Sequence, residues 1–480
     1  MNYITILNIL GWIIASEGVM MLLPIACAAI YRERVGLFFV LVAASCLIIG
    51  FLLTRIKTEN KRFYAREGHV VVALAWITLP LLGAIPFTLA GEIPSYLDAV
   101  FEMVSGFTTT GATILTDVET MSRCMLFWRA FTQWIGGMGV LVFLMSILPL
   151  TGGGSSFSMM QAESPGPSVS KLVPHLRETA QHLYKLYIGL TIAEFILLLL
   201  GQMPVFDALC NTFCTASTGG FGIWNSSIGG YSTYLQVVIT VFMILFGANF
   251  SFFFLCALRR FRDALRIDEI RWYLGILLGA ILLIALDLYW KQGGSFPYAF
   301  QQSAFQVASM MTSTGFSSCD FDLWPAFSKA LLFCVMCIGA CGGSTGGGIK
   351  VSRILLYFKG GYRFIRGLIH PKEVSVVRLD GKKQSSAVIN NAMVFLICYI
   401  GIYMLSFLLL SLDCDSFAAN FTAVAATINN TGPGFDLVGP ACNYAFYNPL
   451  SKIVLIFDML AGRLELFPIL ILLIPSTWKK

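Results

Sequence analysis

FEMVSGFTTTGAT (Phe101–Thr113), LCNTFCTASTGGF (Leu209–Phe221), FQVASMMTSTGFS (Phe305–Ser317) and FTAVAATINNTGPG (Phe421–Gly434) are four versions of one short theme. Each opens on a large apolar residue ten or eleven positions before a glycine, and threonine precedes that glycine every time: Thr110-Gly111, Thr218-Gly219, Thr314-Gly315 and Thr431-Gly432. The glycines lie 108, 96 and 117 residues apart. One such motif is explained by glycines packing helix on helix. Four in register are an internal repeat.

The chain around the motifs belongs in a membrane. Of its 480 residues 57% are hydrophobic and only 12% charged, with mean hydropathy +0.77. A soluble domain carries about a quarter charged residues. Val35–Thr54, Val70–Ala90, Ala130–Ala162, Ser232–Leu258, Ala330–Ile349 and Gln384–Leu412 contain no Asp, Glu, Lys or Arg, and roughly 20 apolar residues cross a bilayer core as a helix. The expected class is an all-α polytopic membrane protein. The first apolar segment, about Ile4–Ile30, is too long for a signal-peptide core, carries Glu17 and lacks a basic leader, so it reads as a retained helix.

Basic residues set the orientation. Arg55, Lys57, Lys61, Arg62 and Arg66 share one connection; Arg259, Arg260, Arg262, Arg266 and Arg271 another; nine more run from Lys350 to Lys383. With Lys171, Arg177, Lys185, Lys479 and Lys480 they are assigned to the cytoplasmic side by the positive-inside rule. The net charge of +6 thus reports topology and lipid contact, with no nucleic-acid binding expected. Most of the thirteen cysteines sit in apolar runs, including Cys334, Cys337 and Cys341 in one predicted helix, and the four histidines are scattered. Neither pattern supports a zinc or redox site.

The segments leading into the motifs are about 10–14 residues long, each between two full-length apolar helices, a length that suits re-entrant helices. Irregular backbone at membrane depth must be buried in protein or line a watery cavity. Four helix, re-entrant loop and helix units can close around one axis, with backbone carbonyls replacing an ion's hydration shell. The filter candidates are Thr109, Thr110, Gly111, Ser217, Thr218, Gly219, Ser313, Thr314, Gly315, Asn430, Thr431 and Gly432. No motif contains a carboxylate, so carbonyl coordination of a weakly hydrated monovalent cation is the simplest reading.

The second helix of the third repeat is interrupted by GACGGSTGGGIK, Gly339–Lys350, where glycine costs a helix about 1 kcal/mol per residue relative to alanine. Gly342, Gly343, Ser344, Thr345, Gly346, Gly347, Gly348 and Lys350 therefore form a candidate gating loop below the third filter loop. Ser344 has neither histidine nor acid beside it, so a nucleophile is not expected there. Arg463, inside the last apolar helix, is a functional candidate because a central membrane arginine costs at least ~2.5–3.5 kcal/mol. It faces the pore as an electrostatic barrier or pairs with Asp458 or Glu465. Glu102 and Asp287 read as helix-boundary or packing groups.

The four Thr-Gly loops, the GGSTGGGIK break and GRLELF in the last helix resemble the Trk/Ktr/HKT superfamily of potassium transporters over essentially the whole chain. The stretch AESPGPSVSKLVPHLRETA, Ala162–Ala180, and the extra N-terminal helix pair resemble its TrkH branch. That resemblance implies a division into an N-terminal transmembrane pair (1–66) and pore repeats at 67–170, 171–265, 266–380 and 381–480. It implies K+ held by filter backbone carbonyls, with no organic cofactor. Family filters with glycine in all four loops favour potassium, whereas serine in the first is associated with sodium; Gly111 implies potassium. It also implies Gly339–Lys350 as gate, Arg463 as barrier, a homodimer in the bacterial inner membrane, and docking of a cytosolic TrkA-like nucleotide-binding regulatory ring on the basic loops. An ion-coupled transporter is the alternative within transport. A polytopic membrane enzyme would need convergent acid, base or metal ligands.

Overall fold

A computed structural model describes residues 3–56, 65–139, 176–372 and 376–478. Lys57, Lys61, Arg62, Lys171, Lys479, Lys480, the charge-free run beyond residue 139 and residues 162–175 of the stretch expected to mark the TrkH branch lie outside the described residues.

The architecture is helical; the one strand pairing described is a two-residue-per-strand hairpin, Arg378–Leu379 with Lys382–Lys383. The N-terminal pair, Tyr3–Tyr31 and Gly36–Thr54, packs closely because Gly11 and Gly50 face Leu53 and Ala15 with no room for a Cβ. Helices in lipid associate through such small-residue contacts. The pair then leans on the first repeat, where Glu33 accepts the backbone N–H groups of Arg123 (2.8 Å) and Cys124 (2.9 Å).

Four repeats follow, each an outer helix, a short helix, a loop and an inner helix. The outer helices are Ala65–Ala90, Leu176–Leu200, Asp268–Gln292 and Ser386–Leu410. At 25 or 26 residues they exceed what a bilayer core requires. The short helices are Tyr96–Phe107, Val205–Ala216, Phe296–Met311 and Phe417–Ile428, all too short to cross. Ser95 and Ser416 cap the first and fourth by accepting from Asp98 N and Ala419 N, a contribution of about 1 kcal/mol each.

The inner helices are shorter than expected, except that the third breaks at its glycine-rich run as expected. Arg123–Gly137, Thr233–Gly247, Ala326–Ile338 and Pro449–Arg463 have only 13 to 15 residues, not full membrane length. The second resumes as Phe250–Ala257 after a 94° bend, because Asn249 accepts from Ser251 N and starts a new helix. The third ends before Cys341, which lies in the loop rather than on the helix of Cys334 and Cys337. Charge-free composition marks apolar depth, but it conceals helix breaks. Three of them end where they reach the C-termini of short helices, Gly136 pressing on Phe107, Gly247 on Thr312 and Gly462 on Ile428, while the third ends at Gly339 against Gly347 and Gly348 of its own loop.

Candidate ion-conduction site

Each short helix stops in the same way. Thr109 N donates to Gly106 O and Thr110 N to Ser105 O; Thr218 and Gly219 pair with Thr215 and Cys214, Ser313 and Thr314 with Met310 and Ser309, Asn430 and Thr431 with Thr427 and Ala426. This double closure is a Schellman ending, which needs a left-handed residue just past the cap. That residue is Thr109 (φ 55°), Thr218 (54°), Ser313 (57°) or Asn430 (52°), and two positions later stands a left-handed glycine, Gly111, Gly220, Gly315 or Gly432. Left-handed backbone is unusual for threonine, and such strain persists only where surrounding structure imposes it.

These dihedrals correct the register of the second loop. Its structural equivalents of Thr109-Thr110-Gly111 are Thr218-Gly219-Gly220, one residue later than the Ser217-Thr218-Gly219 match that the Thr-Gly pattern suggests. Ser217 corresponds to Thr108 and Thr312, the helix caps whose hydroxyls bond back to the carbonyl four residues earlier.

The loops meet in a closed ring. A Cβ on Gly111 would overlap Gly219 O, one on Gly220 Thr314 O, one on Gly315 Thr431 O, and one on Gly432 would come within 2.7 Å of Thr110 O. Each glycine thus abuts the carbonyl just before the next loop's glycine, and the fourth returns to the first. Asn430 Nδ2 adds a bond to Thr110 Oγ1 (2.9 Å) across that last seam. The four helix C-termini converge on this ring, and their dipoles place partial negative charge where a cation would sit. A pocket lined by Gly111, Gly220, Gly315 and Gly432 opens above it.

Side chains brace the ring from behind. Glu102, fully buried, pairs with Arg129 at 2.6 Å and accepts from Thr113 Oγ1 and Ile114 N; it is a buried ion-pair member rather than a boundary group. Arg129 also lies 4.2 Å from the centroid of Phe221, so one pair supports the first two loops. Gln133 bonds Gly219 O and Phe221 N. Tyr444 OH donates to Gly432 O at 2.7 Å. The signal for Glu102, Arg129 and Gln133 was a charged or amide residue on a largely apolar helix, but their partners lie too far along the chain to be read from spacing; Tyr444, in a loop, gave no such signal. Asp287 stays at a helix end, bonded to Lys291 and Ser328.

Below the ring, the glycine-rich loop presses directly on it. Gly347 N donates to Ser313 Oγ and Gly348 N to Asn429 O, and Gly346 has no room for a Cβ against Thr312 O. Thr345 Oγ1 reaches Phe246 O, Ser344 Oγ reaches Cys341 O, and Lys350, buried and left-handed, donates to Gly346 O. Gly343 O accepts from Phe250 N. One carboxylate holds both ends of the loop: Glu269 Oε1 accepts from Gly342 N (2.6 Å) and Ser352 N (3.1 Å), while Oε2 accepts from Asn249 Nδ2 (3.1 Å).

Arg463 donates to Thr345 O in this loop and to Gly136 O and Gly137 O at the end of the first inner helix. Terminal carbonyls of a helix lack intrahelical donors and carry its negative dipole end, which is where a guanidinium is stabilised. The two carboxylates weighed as its partners are engaged elsewhere, Glu465 with Arg353 and Asp458 with Ser406.

Four re-entrant loops closed into a ring, with a loop and an arginine beneath it, define a multi-pass membrane protein of the pore-loop class. The TrkH family model, described as a cation transport protein, matches residues 37–480; the chain belongs to that family. It is 36% identical over 488 residues to the Trk system potassium uptake protein TrkH of Escherichia coli (strain K12), with both chains fully covered. It is 33% identical to TrkG of the same strain, covering 98% of this chain and 97% of that one. The crystal structure of the potassium transporter TrkH from Vibrio parahaemolyticus superposes with TM-score 0.89 at 33% identity, covering all of both chains. These relatives are transporters, not enzymes.

Proposed function

We propose that this chain takes up potassium across the bacterial cytoplasmic membrane. The selectivity filter is formed by the backbone carbonyls of Thr109, Thr110, Gly111, Ser313, Thr314, Gly315, Asn430, Thr431 and Gly432, with Thr218, Gly219 and Gly220 in the second loop and Ser217 as its cap. K+ is the cargo, and carbonyl rings suit it because they replace a weakly held hydration shell. Gly342–Gly348 and Lys350 form the gate, and Arg463 is an electrostatic barrier below the filter. The repeats divide near residues 66, 170, 265 and 380. The working unit is a homodimer whose cytoplasmic loops dock a TrkA-like nucleotide-binding ring, with Arg259–Arg271 and Lys359–Lys383 supplying the basic surface.

The observation that carries this reading is the ring itself, in which each loop's glycine is sterically tied to the next loop's carbonyl. Its test is growth of a bacterium lacking its own potassium uptake on limiting potassium. The chain should restore growth, and Gly315→Ser, which drives a side chain into Thr431 O, should abolish it. Equal rescue by both would defeat the reading.

A further inference from the structure

The second loop breaks the pattern of the other three, and one side chain outside the loop accounts for the break. Where the first, third and fourth loops carry Thr110, Thr314 and Thr431, the second carries Gly219. Its backbone does not demand glycine: Gly219 lies outside the left-handed region that Gly220 occupies. What excludes a side chain is Gln133, whose amide carbon, oxygen and nitrogen would lie 2.5, 2.6 and 2.8 Å from a Cβ there. Gln133 is fully buried on the first inner helix.

In that space the amide does what the missing threonine cannot. Its Nε2 donates to Gly219 O at 2.7 Å and its Oε1 accepts from Phe221 N at 3.2 Å. A carbonyl on one side and an N–H on the other fix which end of the amide is which. Thr110 and Thr314 instead tie their hydroxyls to Thr108 and Thr312, both at 2.7 Å, within their own loops. Gly219 O is also the oxygen against which Gly111 packs, so Gln133 grips the ring at the seam between the first and second loops.

We propose that Gln133 is a specificity-determining positioning residue of the second filter loop, replacing the threonine found in the other three and fixing the Gly219 carbonyl for discrimination between potassium-sized and smaller cations. This rests on the filter reading above.

The test measures initial Rb+ and Na+ uptake by purified full-length protein in proteoliposomes. Gln133→Ala removes both bonds and is expected to lower the Rb+/Na+ ratio roughly fivefold, the scale of one lost hydrogen bond. Gln133→Glu keeps the shape but turns an oxygen toward Gly219 O, and is expected to lower the ratio as well. Gly219→Thr alone should fail through its clash. The double variant Gln133→Ala with Gly219→Thr should restore the ratio, because the threonine then finds room and the Ser217 hydroxyl as partner. A wild-type ratio in whichever of Gln133→Ala and Gln133→Glu elutes as folded protein overturns the proposal, provided Gly111→Ser, run in parallel, shifts the ratio. If Gly111→Ser leaves it unchanged too, the filter reading itself has failed.

Discussion

Arg463 donates from Nη1 to the carbonyl of Thr345 at 3.1 Å, joining the last inner helix to the loop that closes the third. The same guanidinium holds Gly136 and Gly137, one helical turn beyond Gln133. Glycine-rich loop, arginine and first-loop scaffold therefore form one connected unit directly beneath the ring, so moving the loop necessarily changes what the arginine and the ring touch.

Replacing Arg463 with alanine removes a positive charge beneath the ring together with its bonds to the loop; on the proposed barrier role, the charge leaves the cation path. Bonds to charged groups are worth about 1.5–3 kcal/mol each, and losing one from the closed arrangement should raise K+ flux about tenfold or more. Stopped-flow or radiotracer uptake measures this. Reduced flux from folded Arg463→Ala protein would assign the side chain to structure alone.

Glu269 fastens the glycine-rich loop at Gly342 and Ser352. Glu269→Ala frees both N–H groups and should raise uptake measured without any partner protein. Glu269→Gln keeps an acceptor for them but sets an amide N–H against Asn249, so its leak should fall between wild type and alanine. Hydrogen exchange of Gly342–Ser352 should accelerate in the same order.

The Glu102–Arg129 pair is buried on both sides. Removing one partner of such a pair costs about 3–5 kcal/mol because the other charge stays uncompensated. Glu102→Ala should therefore sharply lower the melting temperature in detergent, whereas Glu102→Leu combined with Arg129→Met should recover much of it. A single variant as stable as wild type would contradict the burial described.

How much could be read in advance follows from what a sequence encodes locally. The four Thr-Gly motifs identified the loops because a tight ring needs glycine at fixed distance from a helix end, and that distance is a matter of spacing. The second loop's register escaped, because Thr218-Gly219 imitates the pattern while the left-handed glycine is Gly220. Only the position of Gln133, 86 residues earlier, explains the exchange. The break in the third inner helix was legible, because Gly339–Lys350 is rich in glycine and the helix ends at Ile338; the break in the second escaped, because the charge-free run Ser232–Leu258 marks apolar depth without marking the bend at Ala248 and Asn249. Arg463 stood out as a charge at apolar depth, but its carbonyl partners lie in two other repeats.

Ion selection is here assigned to the ring of loops. The direct test is uptake of K+, Rb+, Na+ and Li+ by the purified chain in proteoliposomes, in the wild type and in the Arg463→Ala background. Serine is placed in turn at Gly111, Gly220, Gly315 and Gly432. K+ and Rb+ should enter faster than Na+ and Li+, with that preference reduced or flux lost in each glycine variant, and least at Gly432, where the carbonyl stands furthest off. Uptake without cation preference, or a preference unchanged in all four variants, would contradict it.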